Sequence, residues 1–331
     1  MRSAPGYSRH EAVVTCGTDA QGRGARGHGA LLRLSSRWPN RSDCRVMNDF
    51  WHWWQHIPQH LDPVIFAIGG FKLQYYGLMY VVAFVVTYLL VTYRLKHEER
   101  FQLTPDQVHA LITSMMLGVI VGGRLGYVLF YNLPYYLKHP LEIILPFEFS
   151  NGFKFTGITG MSFHGGLICV ILFTWLYCRK NSLSLLEVAD LFIPAIPLGY
   201  TFGRIGNFIN GELYGRVTSA PIGMLFPLAP GSQLRHPSQL YEALFEGVFL
   251  FLVLWSLRQR VRIPGAMLAL YLIGYGTVRF FIEYFRQPDA HLGFVLFSFS
   301  MGQVLCLLMI GCGVSLLIYL HHRQGIIINT R

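Results

Sequence analysis

Long apolar segments recur along the chain and are separated by polar connections. A helix that crosses a membrane needs about 20 predominantly apolar residues. Seven segments approach this length, so the pattern predicts an all-α polytopic membrane protein with seven transmembrane helices. The predicted spans cover residues 75–93, 110–131, 161–178, 186–203, 238–257, 265–284 and 299–320.

Basic residues are concentrated in every second connection, after the first, third, fifth and seventh predicted spans. These basic segments are 94–100, 178–182, 257–262 and 321–331. Cytoplasmic loops of membrane proteins are enriched in lysine and arginine, so all four segments are predicted to lie in the cytoplasm. The N-terminus then faces the periplasm. The two longest outward connections, 132–160 and 204–237, are expected to form a small periplasmic head.

The composition supports a membrane protein and excludes several other classes. Of the 331 residues, 53% are hydrophobic and 13% are charged, whereas soluble domains contain about 25% charged residues. The net charge is +10, but no basic helix with interleaved aromatic residues is present, so no nucleic-acid partner is expected. The six cysteines show no metal-binding spacing, and neither a disulfide framework nor a structural metal is predicted.

The first 46 residues differ from the rest of the chain. They are rich in arginine, glycine and serine and lack the apolar core of a signal peptide, a composition typical of disorder. Met47 then opens an aromatic-rich stretch. We interpret residues 1–46 as a disordered or wrongly included N-terminal extension and residues 47–331 as the transmembrane domain. A genuine basic tail is the alternative.

Two arginines at the predicted outward ends of different spans indicate a binding site. Arg204 lies in the segment GRIGNFINGELYGR (203–216), and Arg279 lies within the sixth span. Ionisable residues at membrane depth indicate function, and a guanidinium offers paired donors to phosphate. We therefore predict a phospholipid headgroup site. The alternative is ion pairing, of Arg279 with Glu283 four residues later and of Arg204 with Glu212.

Other polar residues are predicted at the same outward level. His164 could take a proton near neutral pH, or it could cap a helix beside two glycines that permit close packing. Arg124 repeats the arginine pattern on the second span. Tyr76 is typical of an interfacial anchor but could bind a headgroup. Within RHPSQLYE (235–242), Ser238 followed by Glu242 is typical of a helix start.

Several segments resemble the bacterial phosphatidylglycerol–prolipoprotein diacylglyceryl transferases, over about residues 60 to 320. One departure is Gln74, because many family members have a histidine two residues before the tyrosine that matches Tyr76. The matching segments are DPVIF with YYGLMY (62–80), GGRLGYVLFYN (122–132), GMSFHGGL (160–167), GRIGNFINGELYGR (203–216), RHPSQLYE (235–242) and GYGTVRFFIEYFRQPD (274–289).

The resemblance implies a reaction at the outer leaflet of the bacterial inner membrane. Diacylglycerol passes from phosphatidylglycerol to the lipobox cysteine of a preprolipoprotein signal peptide, a thioether forms, and glycerol phosphate leaves. No cofactor or metal is implied. The catalytic residues implied are His164 as the base that generates the thiolate, with Arg204, Arg279 and Tyr76. The headgroup-binding residues implied are Arg204, Arg279, Asn207, Glu212, Gly203, Gly215, Arg124 and Glu283.

Two other functions account for some of the same residues. A lipid-binding or transport protein would use the arginines as headgroup clamps, but no internal repeat typical of transporters is present. A different phospholipid transferase or phosphatase would need paired acids with a metal, or a serine or histidine nucleophile. Neither GxSxG nor HExxH occurs in the chain.

Overall fold

The computed structural model describes residues 41–68, 71–145, 147–148, 154–155, 160–287, 294–296 and 299–329, and these are predominantly helical. The predicted extension, apart from residues 41–46, and part of the first predicted head segment lie outside these ranges. The helices are α1 (Arg41–His56), α2 (Tyr75–His97), α3 (Pro105–Tyr131), α4 (Leu133–Lys138), α5 (Phe163–Lys180), α6 (Leu185–Phe192), α7 (Ile196–Ile209), α8 (Ser238–Tyr241), α9 (Leu250–Leu257), α10 (Ala266–Ile282) and α11 (Met301–Asn329).

Four helices are long and apolar enough to cross a membrane: α2, α3, the continuous helix Ser238–Leu257, and Met301–Arg323 of α11. Helices α6 and α7 meet the same criterion together but are bent by 55° at their junction, so the described residues give four spans, or five if this pair is one. Helices α5 and α10, in the other two predicted spans, have 18 and 17 residues. The polytopic class is confirmed, and the number seven stays a prediction.

The break between α6 and α7 has a cause in the sequence. Pro197 lies in the first turn of α7, and Pro194 precedes it in the same turn region. Proline has no backbone N–H and its ring collides with the preceding helical turn, so it ends or kinks a helix. The bend therefore follows from two prolines three residues apart. It lies upstream of Arg204 on α7.

Helices α3 and α5 approach each other closely because glycines line their contact. A Cβ atom on Gly122 would lie only 2.3 Å from the carbonyl oxygen of Gly165 and 2.4 Å from Cβ of Cys169. A Cβ on Gly126 would meet the Gly165 backbone at 2.7 Å. Small residues allow membrane helices to pack backbone to backbone. Elsewhere α2 packs against α7, and α10 packs against α11.

Short β-hairpins and α1 complete the described structure. The antiparallel pairs are β1 (Val64–Ile68) with β2 (Phe71–Gln74), β3 (Phe147–Glu148) with β4 (Lys154–Phe155), and β5 (Phe294–Leu296) with β6 (Phe299–Ser300). Helix α1 runs across the proposed domain boundary at residue 46. It is attached to the segment after α7, because Trp54 Nε1 donates to the carbonyl oxygen of Ile222 at 3.0 Å.

Candidate active site

The helix Ser238–Leu257 contains a π-helical stretch, Glu242–Phe249, between α8 and α9. We call it the π segment. π-helical turns are rare and often occur at functional sites. This one packs against α7, where Thr201 Oγ1 donates to the carbonyl oxygen of Ala243 at 3.3 Å. The π segment carries Glu242 and Glu246, both with no exposed surface. Two acidic residues are therefore fully buried next to α7.

Glu242 contacts three arginines that come from different parts of the chain. Its Oε2 lies 3.0 Å from Nε of Arg204 on α7 and 3.2 Å from Nη1 of Arg279 on α10. Its Oε1 lies 3.2 Å from Nη1 of Arg286, just beyond α10. Glu242 thus brings Arg204 and Arg279 together. Arg286 joins them.

Arg279 is held by two further carboxylates. Its Nη1 lies 3.3 Å from Oε1 of Glu246, and its Nη2 lies 3.3 Å from Oε2 of Glu283. The ion pair of Arg279 with Glu283, which is the alternative to a phospholipid headgroup site, is therefore present. The Tyr200 hydroxyl donates to Oε2 of Glu246 at 2.5 Å, and Ser300 Oγ donates to Oε1 of Glu283 at 3.1 Å. Three arginines and three glutamates are thus connected, and we call them the arginine–glutamate cluster. Its members are Arg204, Arg279, Arg286, Glu242, Glu246 and Glu283.

The arginine side chains of this cluster are more exposed than the side chains of Glu242 and Glu246. The side chains of Arg204, Arg279 and Arg286 are 19%, 16% and 19% exposed, whereas those of Glu242 and Glu246 are fully buried. The arginine side chains therefore retain some exposed surface, whereas those of Glu242 and Glu246 retain none. Buried charges must be paired and hydrogen-bonded to be tolerated. The carboxylates pair with the arginines, and the partly exposed arginine side chains are suited to contact an anion.

A second group of hydrogen bonds extends from Arg204 into the following loop. Arg204 Nη1 donates to Oδ1 of Asn207 at 3.0 Å, and Nδ2 of Asn207 donates to Oε1 of Glu212 at 2.8 Å. Nδ2 of Asn210 donates to the same oxygen at 3.4 Å. Arg204 and Glu212 are thus connected through Asn207. The predicted direct pair of these two residues is absent among the ion pairs of the described residues, because Arg204 pairs with Glu242.

Tyr76 and two predicted glycines lie around this loop. The Tyr76 hydroxyl is 3.0 Å from that of Tyr80, and its ring lies beside Gly206, next to Asn207. A Cβ on Gly215 would lie 2.4 Å from the carbonyl oxygen of Phe285, so packing alone requires glycine there. A Cβ on Gly203 would meet no described atom within 4 Å.

The loop that carries Gly215 is held against the end of α10. The backbone N–H of Gly215 donates to the carbonyl oxygen of His236 at 2.8 Å, and the N–H of Arg216 donates to that of Phe285 at 2.8 Å. Nδ1 of His236 lies 3.2 Å from the Tyr241 hydroxyl. Burial lowers the pKa of His236 below its ordinary value. These bonds fix the loop relative to Arg286 of the cluster.

Two predicted site residues lie on the α3–α5 pair and not on the helices that carry the cluster. Arg124 Nε donates to the carbonyl oxygen of Ile143 at 2.8 Å, and its guanidinium lies 4.9 Å from the centre of the Tyr136 ring. Arg124 therefore holds the segment after α4. His164 lies exposed in the first turn of α5. Within the described residues, no hydrogen bond or ion pair joins either residue to the cluster.

The sequence pattern does not indicate Glu246 or Tyr200 as site residues, and it indicates Glu242 only as part of a helix start. Ser238 does begin α8, but its hydroxyl donates to the carbonyl oxygen of Leu213 at 2.9 Å. The missed signal was an acidic residue within an apolar span, which indicates function for the same reason as the arginines. The partners of Glu246 lie 46 and 33 residues away, and no local pattern specifies them.

The fold defines a polytopic membrane protein. In its cluster, partly exposed arginines pair with buried carboxylates, and such a site is suited to an anionic group. Residues 63–319 match the sequence profile of the family described as prolipoprotein diacylglyceryl transferase. The chain belongs to this family.

Relatives from three bacteria match most of the chain, and each is called phosphatidylglycerol–prolipoprotein diacylglyceryl transferase. The Chlorobaculum tepidum protein is 55% identical over 84% of this chain and 96% of its own length. The Oleidesulfovibrio alaskensis protein is 49% identical over 77% of this chain and 91% of its own length. The Geobacter sulfurreducens protein is 45% identical over 80% of this chain and 97% of its own length.

Proposed function

We propose that this protein transfers the diacylglyceryl group of phosphatidylglycerol to the cysteine thiol in the lipobox of a preprolipoprotein, the first step of lipoprotein maturation. A sulfur–carbon bond forms while the bond between the glyceryl carbon and a phosphate oxygen breaks. The thiol loses its proton, and glycerol phosphate leaves with the bonding electrons. Family membership and the names of the relatives support this reaction.

The partly exposed side chains of Arg204 and Arg279, paired with a buried carboxylate, carry the assignment of the site. Negative charge accumulates on the phosphate oxygens as the carbon–oxygen bond breaks, and fixed cations in a site with little water stabilise that charge strongly. Both arginines are 16% to 19% exposed over fully buried glutamates. We therefore propose that a phosphate contacts the exposed part of these two side chains while Glu242 remains paired with them.

The remaining predicted residues have supporting roles in this proposal. Asn207 and Glu212 shape the headgroup pocket next to Arg204, with Tyr76 beside them at the start of α2. The open space at Gly203 permits close approach of the lipid. Glu283 orients Arg279. The last two predicted residues are proposed as structural supports. Gly215 lets its loop pack against Phe285, and Arg124 donates a hydrogen bond to the segment after α4.

His164 is proposed as the base that takes the thiol proton. His164 is exposed in the first turn of α5, where a cysteine from outside could reach it. Histidine changes protonation near neutral pH and is suited to this step. The cysteine would have to lie between His164 and the bound lipid. The protein partners are then the signal peptides of preprolipoproteins.

The reaction is assigned to the periplasmic leaflet of the bacterial inner membrane. Seven spans, a periplasmic N-terminus, a cytoplasmic C-terminus and a small periplasmic head complete this arrangement. The alternation of basic loops supports it. Arg204 lies in the second half of α7, and Arg279 lies near the end of α10. The basic segment 257–262 precedes the start of α10, so it lies at the other end of that helix from Arg279. This arrangement is consistent with a site at the outer leaflet.

The test is a transfer assay with purified protein in detergent, phosphatidylglycerol and a synthetic lipobox peptide. Wild type is expected to increase the peptide mass by one diacylglyceryl group. Arg279→Ala removes the guanidinium that contacts three carboxylates, and we expect a rate reduction of at least about 100-fold. Arg260→Ala removes an exposed arginine and serves as the matched control.

Each outcome of this assay is informative. Transfer by wild type and the control, but not by Arg279→Ala, would support both the reaction and the site. Normal transfer by Arg279→Ala would remove Arg279 from the site. A folded wild type that binds phosphatidylglycerol without modifying the peptide would favour a lipid-binding protein.

The role of His164 requires its own variant. His164→Gln keeps a polar side chain of similar size but cannot take the proton, so we expect a rate reduction of about 100-fold or more. The residual rate should rise with pH above neutrality, because hydroxide or water must then deprotonate the thiol. A mild defect with an unchanged pH profile would assign the proton transfer to another group.

A further inference from the structure

Helix α1 carries an apolar stripe that the proposed reaction does not use. Met47, Phe50 and Trp54 recur at spacings of three and four residues, and Ile57 continues the pattern just beyond the helix. Residues at this spacing lie on one face of a helix. The helix is therefore amphipathic, because the polar residues fall on the opposite face. These are Asn48, Asp49, His52, Gln55 and His56.

The second half of this stripe packs against the end of α7. Trp54 and Ile57 pack against a buried apolar cluster that includes Phe208. Phe208 is the next-to-last residue of α7 and lies about one turn beyond Arg204. This half of α1 is therefore fixed at the same end of α7 as the arginine–glutamate cluster.

Hydrogen bonds also hold this half of α1 on the loop between α7 and α8. The backbone N–H of Leu225 donates to the carbonyl oxygen of Gln55 at 2.8 Å, and Nε2 of Gln55 donates to that of Pro221 at 3.2 Å. The bond from Trp54 to Ile222 is the third of these contacts. Since the helix is held at several points, its orientation and its outward face are defined.

The first half of the stripe extends beyond these contacts. Met47 and Phe50 are 45% and 48% exposed, and the neighbouring Trp53 is 60% exposed. The ring centres of Phe50 and Trp53 are 6.1 Å apart, so the exposed side chains form one continuous surface. A contiguous apolar surface of this kind marks an interaction site.

The position of this surface indicates that its partner is the membrane. The backbone N–H of Tyr75, the first residue of the apolar helix α2, donates to the carbonyl oxygen of Pro63 at 3.0 Å. Pro63 follows Ile57 by six residues, which keeps the end of α1 within about 20 Å of α2. Helix α1 thus lies close to the ends of two apolar helices, α2 and α7. An apolar stripe that continues past the protein at this level meets the surrounding lipid.

The residue types also fit a lipid surface. Three tryptophans and one phenylalanine occur within residues 50–54. Tryptophan is enriched where a membrane meets water. Amphipathic helices with tryptophan and phenylalanine on the apolar face lie in the plane of the membrane, at the boundary between headgroups and acyl chains.

We propose that α1 is an interfacial helix whose exposed face, formed by Met47, Phe50 and Trp53, inserts into the lipid surface at the end of the bundle that carries the arginine–glutamate cluster. Through its hydrogen bonds, α1 also holds the loop at residues 221–225 close to the membrane. The choice of the periplasmic leaflet rests on the orientation proposed above. The insertion itself depends neither on that orientation nor on the transfer reaction.

Photo-crosslinking of the full-length protein in phosphatidylcholine vesicles tests the proposal. Phe50 is replaced by p-benzoylphenylalanine, which attaches to nearby C–H bonds on irradiation, and the products are identified by mass spectrometry. We expect a phospholipid adduct in a yield close to that of the same label at Val81, which is 58% exposed on α2. The matched control carries the label at His52, exposed on the polar face of α1. Its yield should be at least about fivefold lower.

The products also distinguish other occupants of this face. A yield at position 50 as low as that at His52 would overturn the proposal. A cross-link to a second copy of the chain, or to another segment of the same chain, would overturn it in favour of a protein contact. An adduct that forms only after phosphatidylglycerol is added would overturn it in favour of a headgroup site.

Two features keep this test decisive. If the label at position 50 prevents folding, the same label at Trp53 tests the same face against the His52 control. The readout is a lipid adduct and requires no transfer activity, so the failure of either proposal leaves the other intact.

Discussion

Glu246 has no exposed surface, and a buried carboxylate in a membrane protein must have compensating partners. It has two, the Tyr200 hydroxyl at 2.5 Å and Nη1 of Arg279 at 3.3 Å. Glu246→Gln removes the charge but keeps the shape. We expect a loss of about 1.5–3 kcal/mol in stability, the contribution of a hydrogen bond to a charged group, together with slower transfer, because Arg279 is held less firmly.

Thermal unfolding in detergent and the transfer assay measure both effects. Glu99→Gln is the matched control, since Glu99 is an exposed glutamate near the opposite end of the bundle. A Glu246→Gln protein as stable and active as the control would show that Arg279 is sufficiently held by Glu242 and Glu283.

For single residues, the sequence predicts only those contacts of the cluster that join residues close together in the chain. Glu283 follows Arg279 by four residues on one helix, so their pairing could be predicted from spacing, and it is confirmed at 3.3 Å. Glu242 lies 38 residues after Arg204, and their contact depends on how α7 packs against the π segment. Proximity in the sequence instead favours Glu212, the nearer acid, as the partner of Arg204. In the structure Glu212 is connected to Arg204 through the side chain of Asn207.

Among the helical elements, α3 and α5 form the pair that depends most directly on glycine. Gly122→Ala would place a methyl group 2.3 Å from the Gly165 carbonyl oxygen, and neither backbone can move without displacing a whole helix. We expect the free energy of unfolding to fall by about 1–3 kcal/mol, the usual effect of overpacking. Gly311→Ala on α11 is the matched control, because its Cβ would meet no described atom within 4 Å.

Thermal unfolding of both variants in the same detergent tests this prediction. A Gly122→Ala protein with the midpoint of Gly311→Ala would mean that the two helices pack less closely than described. A larger effect on transfer than on unfolding would instead connect the α3–α5 pair, which carries His164, to catalysis.

The helical elements themselves were largely predictable, whereas their irregularities were not. The apolar run 238–257 predicts one span, and the helix Ser238–Leu257 confirms it. Nothing in the hydrophobic pattern indicates the π-helical turns that bury Glu242 and Glu246 within this span. By contrast, the bend between α6 and α7 could have been predicted from Pro194 and Pro197, since proline interrupts a helix. The hydrophobic pattern alone predicts one uninterrupted span over residues 186–203.

For the whole molecule, charge separates the two ends of the bundle. One end carries the loops 94–100, 178–182 and 257–262, rich in lysine and arginine. The other carries the arginine–glutamate cluster, in which three arginines face three glutamates. Among the connections between the helices, only those at the first end together have a clear excess of positive charge, and such an excess sets the orientation of a membrane protein. We therefore expect the basic end in the cytoplasm and the cluster on the periplasmic side.

Single cysteines introduced at exposed positions of the two ends test this orientation in bacterial cells. Ser219→Cys lies in the loop between α7 and α8, and Gln259→Cys lies in the basic loop after α9. A membrane-impermeant thiol reagent should label Ser219→Cys in cells whose outer membrane is permeable, and should label Gln259→Cys only after lysis. Wild type reports labelling of the natural cysteines. The reverse pattern would place the arginine–glutamate cluster in the cytoplasm, where a preprolipoprotein cysteine that has crossed the membrane could not reach it, and would contradict the proposed reaction geometry.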